Sequence, residues 1–162
     1  MDKKTGFRAS FLAVVAVSLL FLFFAVSDIY SSYADVKSVK FLTVEADGLR
    51  LDSAGNETFL LFDFEIGNPA EGKLLVVRHE RDLFVEGEHI RRKRSDFSPN
   101  ELTIAPYDSF ARQMAMGVPS SKLYLFEKGE VQCRIEISVY VRTPFGQTRI
   151  PSVHIKTLTV TI

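Results

Sequence analysis

The 162-residue chain predicts an all-β fold, an antiparallel β-sandwich preceded by one amino-terminal apolar helix. Three stretches carry that expectation. Phe59 to Pro69, FLLFDFEIGNP, reads as a strand that stops at an Asn-Pro corner. Val131 to Arg142 alternates without a break, with Val131, Cys133, Ile135, Ile137, Val139 and Val141 on one parity and polar residues or Tyr140 on the other. Ala9 to Ser27 holds no ionisable residue at all. Seven or so short strands separated by turns, with little helix among them, define a sandwich.

Composition sets the bounds. An apolar fraction of 46% is ordinary for a folded domain. The formal net charge is zero, which argues against a nucleic-acid binder, since such domains are strongly basic. Cys133 is the single cysteine, so no intrachain disulfide forms and stability must come from packing. Its apolar parity makes it a small buried hydrophobe.

The amino terminus divides into residues 1–8, a short cytoplasmic end, 9–27, a membrane helix, and 28–35, a polar linker, ahead of a sandwich over 36–162. As a helix, the run from Ala9 to Ser27 spans roughly 28 Å, close to a bilayer core. Twelve of its residues are Leu, Phe or Val, enough for insertion at about −4 to −7 kcal/mol. An uncleaved signal anchor accounts for its length and bulky Phe content. The alternative is a secreted domain released by cleavage after Ala25-Val26-Ser27 or Ser32-Tyr33-Ala34. Lys3, Lys4 and Arg8 precede the run, which favours a cytoplasmic amino terminus and an extracytoplasmic domain.

The rest follows in order. Val36 to Ala46 is expected as a first strand. Asp47-Gly48 and Asp52 to Asn56 are turns around a short Leu49–Leu51 segment, and Asn56-Glu57-Thr58 matches a glycosylation acceptor. In the central strand Thr58, Leu60, Phe62, Phe64 and Ile66 face the core, with Phe59, Leu61, Asp63 and Glu65 opposite. Lys73 to Ile90 is a long strand or kinked pair that turns at Glu86-Gly87-Glu88. A loop over Asp96–Asn100 precedes strands at Glu101–Ala105 and Ser109–Val118. Pro119 to Lys128 holds one or two helical turns with Ser120 or Ser121 as N-cap. A turn at Thr143 to Gly146 leads into a last strand over Arg149–Ile162.

No catalytic, cofactor or metal site is expected. His79, His89 and His154 form no zinc-ligand spacing, and no nucleophile-elbow or phosphate-loop motif occurs. Asp63 and Glu65, two apart on the outward parity, read as a solvated face. Arg91-Arg92-Lys93-Arg94 stands above this background. Four consecutive cations prefer water or an anionic partner, and here they are expected in a loop that is either simply solvated or in contact with anionic headgroups or a surface polyanion. Between Ser109 and Met116, small Ala111 and Ala115, if inward, would leave room between the sheets, and Met114 and Met116 could line an apolar-ligand space; the alternative is an edge strand with small outward residues.

The order of these features resembles the late embryogenesis abundant group-2 (LEA-2) family, also called the water-stress and hypersensitive-response domain. The likeness runs from Val36 to Ile162 and rests on Phe64-Glu65-Ile66-Gly67-Asn68-Pro69, Leu83 to Gly87, Leu102 to Pro106, and a closing pair around Gly146 and Pro151. Asn68-Pro69 is its sharpest motif. The resemblance implies an immunoglobulin-like or fibronectin-III-like sandwich without enzymatic activity, a link to desiccation and stress tolerance, and lipid binding. Membrane lipid, or an envelope protein that meets an exposed sheet edge or face, is the expected partner.

Overall fold

The computed structural model describes residues 3–97, 102–127 and 129–160, with side chains from residue 14 onward. One long helix, α1 (Lys3–Phe41), leads into β1 (Thr43–Ala54), β2 (Glu57–Asn68), β3 (Leu74–Val85), β4 (Glu88–Asp96), β5 (Leu102–Ile104), β6 (Asp108–Val118), β7 (Glu130–Thr143) and β8 (Gly146–Thr159). A 3-10 turn at Ser120–Phe126 joins β6 to β7. It starts after Pro119 without a side-chain cap, so neither Ser120 nor Ser121 plays the expected capping role.

The strands form two antiparallel sheets. One has the order β1-β2-β6. The other has the order β4-β3-β7-β8, with short β5 paired to the start of β3. Their inner faces share one core. From β2 come Leu60, Phe62, Phe64 and Ile66; from β7 come Val131, Cys133, Ile135, Ile137, Val139 and Val141; all are buried. Asp63 and Glu65 are exposed, so the strand shows the faces its alternation predicts.

Three expectations are corrected. Residues 28–35 are not a linker, and 36–41 are not strand: the helix runs through both to Phe41, and β1 starts at Thr43. Extending a formed helix is cheap compared with nucleating a new one. Docking of Ser38 and Val39 onto the domain then outweighs the β preference of Val36 and Val39. Second, Asp47-Gly48 does not end a strand. It is a bulge in β1, whose pairing with β2 shifts between Asp47 and Arg50, with Gly48 at φ 62°. Third, Arg91 to Arg94 lie within β4 and not in a loop. β4 pairs with β3 alone, and a charged edge strand can keep its cations in water. The β3–β4 hairpin turns at Glu86-Gly87, both at positive φ (50° and 81°), as a two-residue hairpin loop requires. Residues 98–100 of the expected loop lie outside the described residues.

Candidate functional site

Two places in the fold combine buried polar groups with an unusual layout. The first is the corner where the helix meets the sandwich. Asn68, the last residue of β2, is 1% exposed. Its Nδ2 donates to the carbonyls of Gly72 (2.7 Å) and Ala105 (2.9 Å), and the Ala70 N–H donates to its Oδ1 at 3.3 Å. One amide therefore ties the end of β2, the β2–β3 loop and the segment after β5. Ser38 of α1 completes the corner. Its Oγ lies 3.0 Å from the Ala34 carbonyl and from both the carbonyl and the N–H of Gly72. The Lys73 N–H donates to Asp35 Oδ1 at 3.0 Å. Gly72 passes so close to α1 that a Cβ there would collide with the Ala34 carbonyl group. Asn68, half of the motif picked out in the sequence, is thus a joint between the amino-terminal helix and the domain; Pro69 beside it is exposed.

The second place is the seam between β4 and β6, the facing edges of the two sheets. No ladder joins them. Register assigns the faces. Leu83↔Arg91, Arg81↔Lys93 and His79↔Ser95 are cross-strand pairs on the inward face, whereas Asp82↔Arg92 and Glu80↔Arg94 are on the outward face. The predicted basic stretch is therefore split. Arg92 holds the Asp82 carboxylate at 2.9 and 3.0 Å, and Arg94 holds Asp96 at 2.8 to 3.1 Å. Arg91 and Lys93 reach across the seam to the Gly117 and Ala115 carbonyls of β6, each at 3.5 Å.

Below them lie Arg81, which the sequence does not single out, and His79. Arg81 is 2% exposed, with Nη2 donating to Ser95 Oγ at 2.8 Å and Nε without a partner. His79 is equally buried, its ring 5.0 Å from Phe64 and 5.5 Å from Phe97, and its Nδ1 is unpaired. Burial first, then the neighbouring Arg81 and Arg112, pushes the imidazole down to about 4, so it is neutral at pH 7. Burial, with Arg112 nearby, brings Arg81 down to about 10, still protonated. Two adjoining hollows of about 340 Å³ each run along this seam, and Lys93 and Ala115 line both.

Of the two readings of the Ser109–Met116 segment, the edge strand with small outward residues is the one observed, and the apolar-ligand space is corrected. Register with β2 turns Met114 and Met116 inward, where they are buried as core. Ala111 is exposed and Ala115 half-buried on the other parity, so no small-residue gap parts the sheets there. Among the described residues no cluster of His, Cys, Asp or Glu could hold a metal ion. His89 sits outside against Asp82, and His154 meets Ser152 on β8. The Cys133 thiol is buried, and desolvation raises it to about 11.

These features define a mostly-β protein of two antiparallel sheets with an apolar helix of membrane-spanning length. No family model and no curated protein matches the sequence. Solved structures do match. An Arabidopsis thaliana protein solved in solution is 15% identical, with a TM-score of 0.58 over 72% of this chain and 80% of its own. A candidate late embryogenesis abundant protein, also solved in solution, is 10% identical, with a TM-score of 0.55 over 82% and 84%. A crystal structure of a protein from Archaeoglobus fulgidus, 10% identical, gives 0.52 over 74% and 97%. At such identities the likeness is one of fold, and that fold is LEA-2-like.

Proposed function

We propose that this chain is a non-enzymatic, membrane-tethered module of the LEA-2 kind. In this reading an immunoglobulin/fibronectin-III-like sandwich is held outside the cytoplasm by a retained single-pass helix, and it protects the envelope under water stress by binding lipid or envelope components. The observation that carries the tether is the continuity of α1. Both candidate cleavage exits, Ala25 to Ser27 and Ser32 to Ala34, lie inside one unbroken helix. The second lies where the Ala34 carbonyl meets Ser38 and Gly72. Cleavage at the second exit would cut the chain within this dock.

The dock also limits what the domain can touch. Arg81 and its partner Lys93 lie roughly 20 Å along β3 from the corner where the helix enters. That exceeds the screening length of about 8 Å in physiological salt. The basic strand is thus better suited to a solute, a polyanion or an apposed surface than to headgroups beside its own helix. The test is retention. After expression with its own amino terminus, the protein should stay in the membrane pellet through a carbonate wash. An intact mass lacking the first 27 or 34 residues would end the anchor reading.

One observation favours a structural adaptor as the second reading. β8 is an edge strand that exposes Val153 (58%) and Ile155 (61%) on its outer face. Cross-linking in intact membranes should then trap a discrete protein partner, and the product should disappear when both residues are changed to Lys.

A further inference from the structure

The lip of a sandwich, where two sheets face without hydrogen bonds, is ordinarily sealed by apolar side chains. Here the inward positions at the β4–β6 lip are Arg91, Lys93 and Ser95 on β4, His79 and Arg81 on β3, and Arg112 on β6. Inward charges on an edge strand are a known guard against edge-to-edge pairing. That accounts for Arg91 and Lys93. It does not account for Arg81, because β3 is paired on both sides, to β4 and to β7. An arginine buried to this depth is costly unless its charge is met.

Among the described residues no carboxylate is hydrogen-bonded to that charge. The only side-chain hydrogen-bond partner of Arg81 is a neutral hydroxyl, Ser95. Lys93 reaches a backbone carbonyl. Three carboxylates on β3 and β4 are engaged elsewhere, while Asp63 and Glu65 share a separate hollow with Arg112. Asp96 lines the hollow but is held by Arg94; Asp82 and Glu80 lie on the opposite face of β3, with Arg92 and His89 on the first and Tyr140 and Arg78 on the second. Glu57 lines the adjoining hollow with Arg91. One wall is aromatic: Phe97 packs edge-on to Phe110 at 5.9 Å, and His79 stacks on Phe64. What remains is a pocket of about 340 Å³ with a buried guanidinium at its base, two further cations and a hydroxyl.

We propose that this seam binds a phosphate group. Arg81 anchors it from below, Lys93 and Arg112 close on it from the two edge strands, and Ser95 both orients the guanidinium and offers its hydroxyl. A planar guanidinium suits phosphate oxygens through paired N–H donors, and a water-poor base strengthens each contact. The phosphate is carried either by a small soluble ester or by a lipid headgroup presented from an apposed surface. The site does not depend on whether α1 stays attached.

The experiment uses the full chain in neutral detergent. Thermal unfolding and calorimetric titration are followed with inorganic phosphate against chloride at equal ionic strength. Wild type should show a saturable rise in melting temperature specific to phosphate. Arg81→Met and Arg112→Gln should each weaken phosphate binding about tenfold or more, the scale of one lost charge-assisted hydrogen bond. Arg92→Gln, on the outward face, should leave it unchanged. Arg81→Met should melt at or above wild type without phosphate, as a buried charge replaced by an apolar side chain of similar length does. If that variant fails to fold, exposed Arg112 still decides the matter. A second arm adds phosphatidylcholine vesicles with or without phosphatidic acid. Capture that depends on phosphatidic acid and on Arg81 assigns the phosphate to a headgroup; phosphate binding without capture assigns it to a soluble ester. No saturable response to phosphate beyond chloride, or unchanged affinity in folded Arg81→Met or Arg112→Gln, overturns the proposal.

Discussion

Replacing Asn68 tests whether the Asn-Pro corner is a structural joint. In Asn68→Ala the Gly72 and Ala105 carbonyls lose donors at 2.7 and 2.9 Å, and the Ala70 N–H loses an acceptor at 3.3 Å. A net hydrogen bond contributes about 1 kcal/mol, and each buried group left without a partner costs about 1–3 kcal/mol. The Gly72 carbonyl keeps Ser38 as a donor, which trims the loss. The expected destabilisation is therefore about 2–4 kcal/mol in a denaturant titration of the full chain in detergent. Asn68→Asp is the sharper probe. It keeps the volume but turns the donor into an acceptor that faces two carbonyl oxygens, so it should cost at least as much as Ala. Because Asn68 and Ser38 donate to the same Gly72 carbonyl, a double-mutant cycle with Ser38→Ala should show coupling of about 0.5 kcal/mol or more. An Asn68→Ala cost below about 1 kcal/mol, or an Asp variant milder than Ala, would refute this account.

Four further outcomes are expected. Phe62→Ala should cost about 3–5 kcal/mol by emptying a fully buried ring site, against under about 0.5 kcal/mol for exposed Asp63→Ala in the same titration. Gly72→Ala should loosen the helix dock, because its methyl meets the Ala34 carbonyl; limited proteolysis between Ile29 and Phe41 should become faster while the strands keep their circular dichroism. His79 is held near 4 when folded and stands at 6.5 when free, so the unfolded chain takes up a proton that the folded chain refuses. The contribution of His79 should thus fall as pH drops from 6.5 to 4, by up to about 3 kcal/mol, and level off below; His79→Gln should flatten that part of the profile relative to wild type, leaving the smaller contribution of His154, while Asp47, Asp82 and Asp96, held below the usual carboxylate value, keep overall stability falling at lower pH. Cys133 should resist a thiol reagent at pH 8 in the folded protein and react fully once unfolded.

Much of this architecture is local and could be read from the chain alone. Alternation in a strand is set by backbone geometry, so the core faces of β2 and β7 follow from residue parity with no knowledge of what they pack against. The uncharged run before Asp28, free of Gly and Pro, is likewise legible as a helix, and its length matches a bilayer core. Where the helix ends is different. Residues 36–41, VKSVKF, suit a strand by composition, and contacts with Gly72 and the core edge, distant in sequence, keep them helical. The seam shows the same limit. Leu74 and Val76 face inward on one parity, but the shift in pairing with β7 between Val76 and Arg78 hands the core face to His79, Arg81, Leu83 and Val85. Read in a straight line, LLVVRHERDLFV gives no hint of a buried arginine. Likewise four adjacent cations look like one basic loop, and only pairing with β3 sends Arg92 and Arg94 outward to carboxylates while Arg91 and Lys93 turn toward β6. Parity within a strand belongs to the sequence, whereas a bulge and the neighbour across an unpaired edge are properties of the assembled sheets.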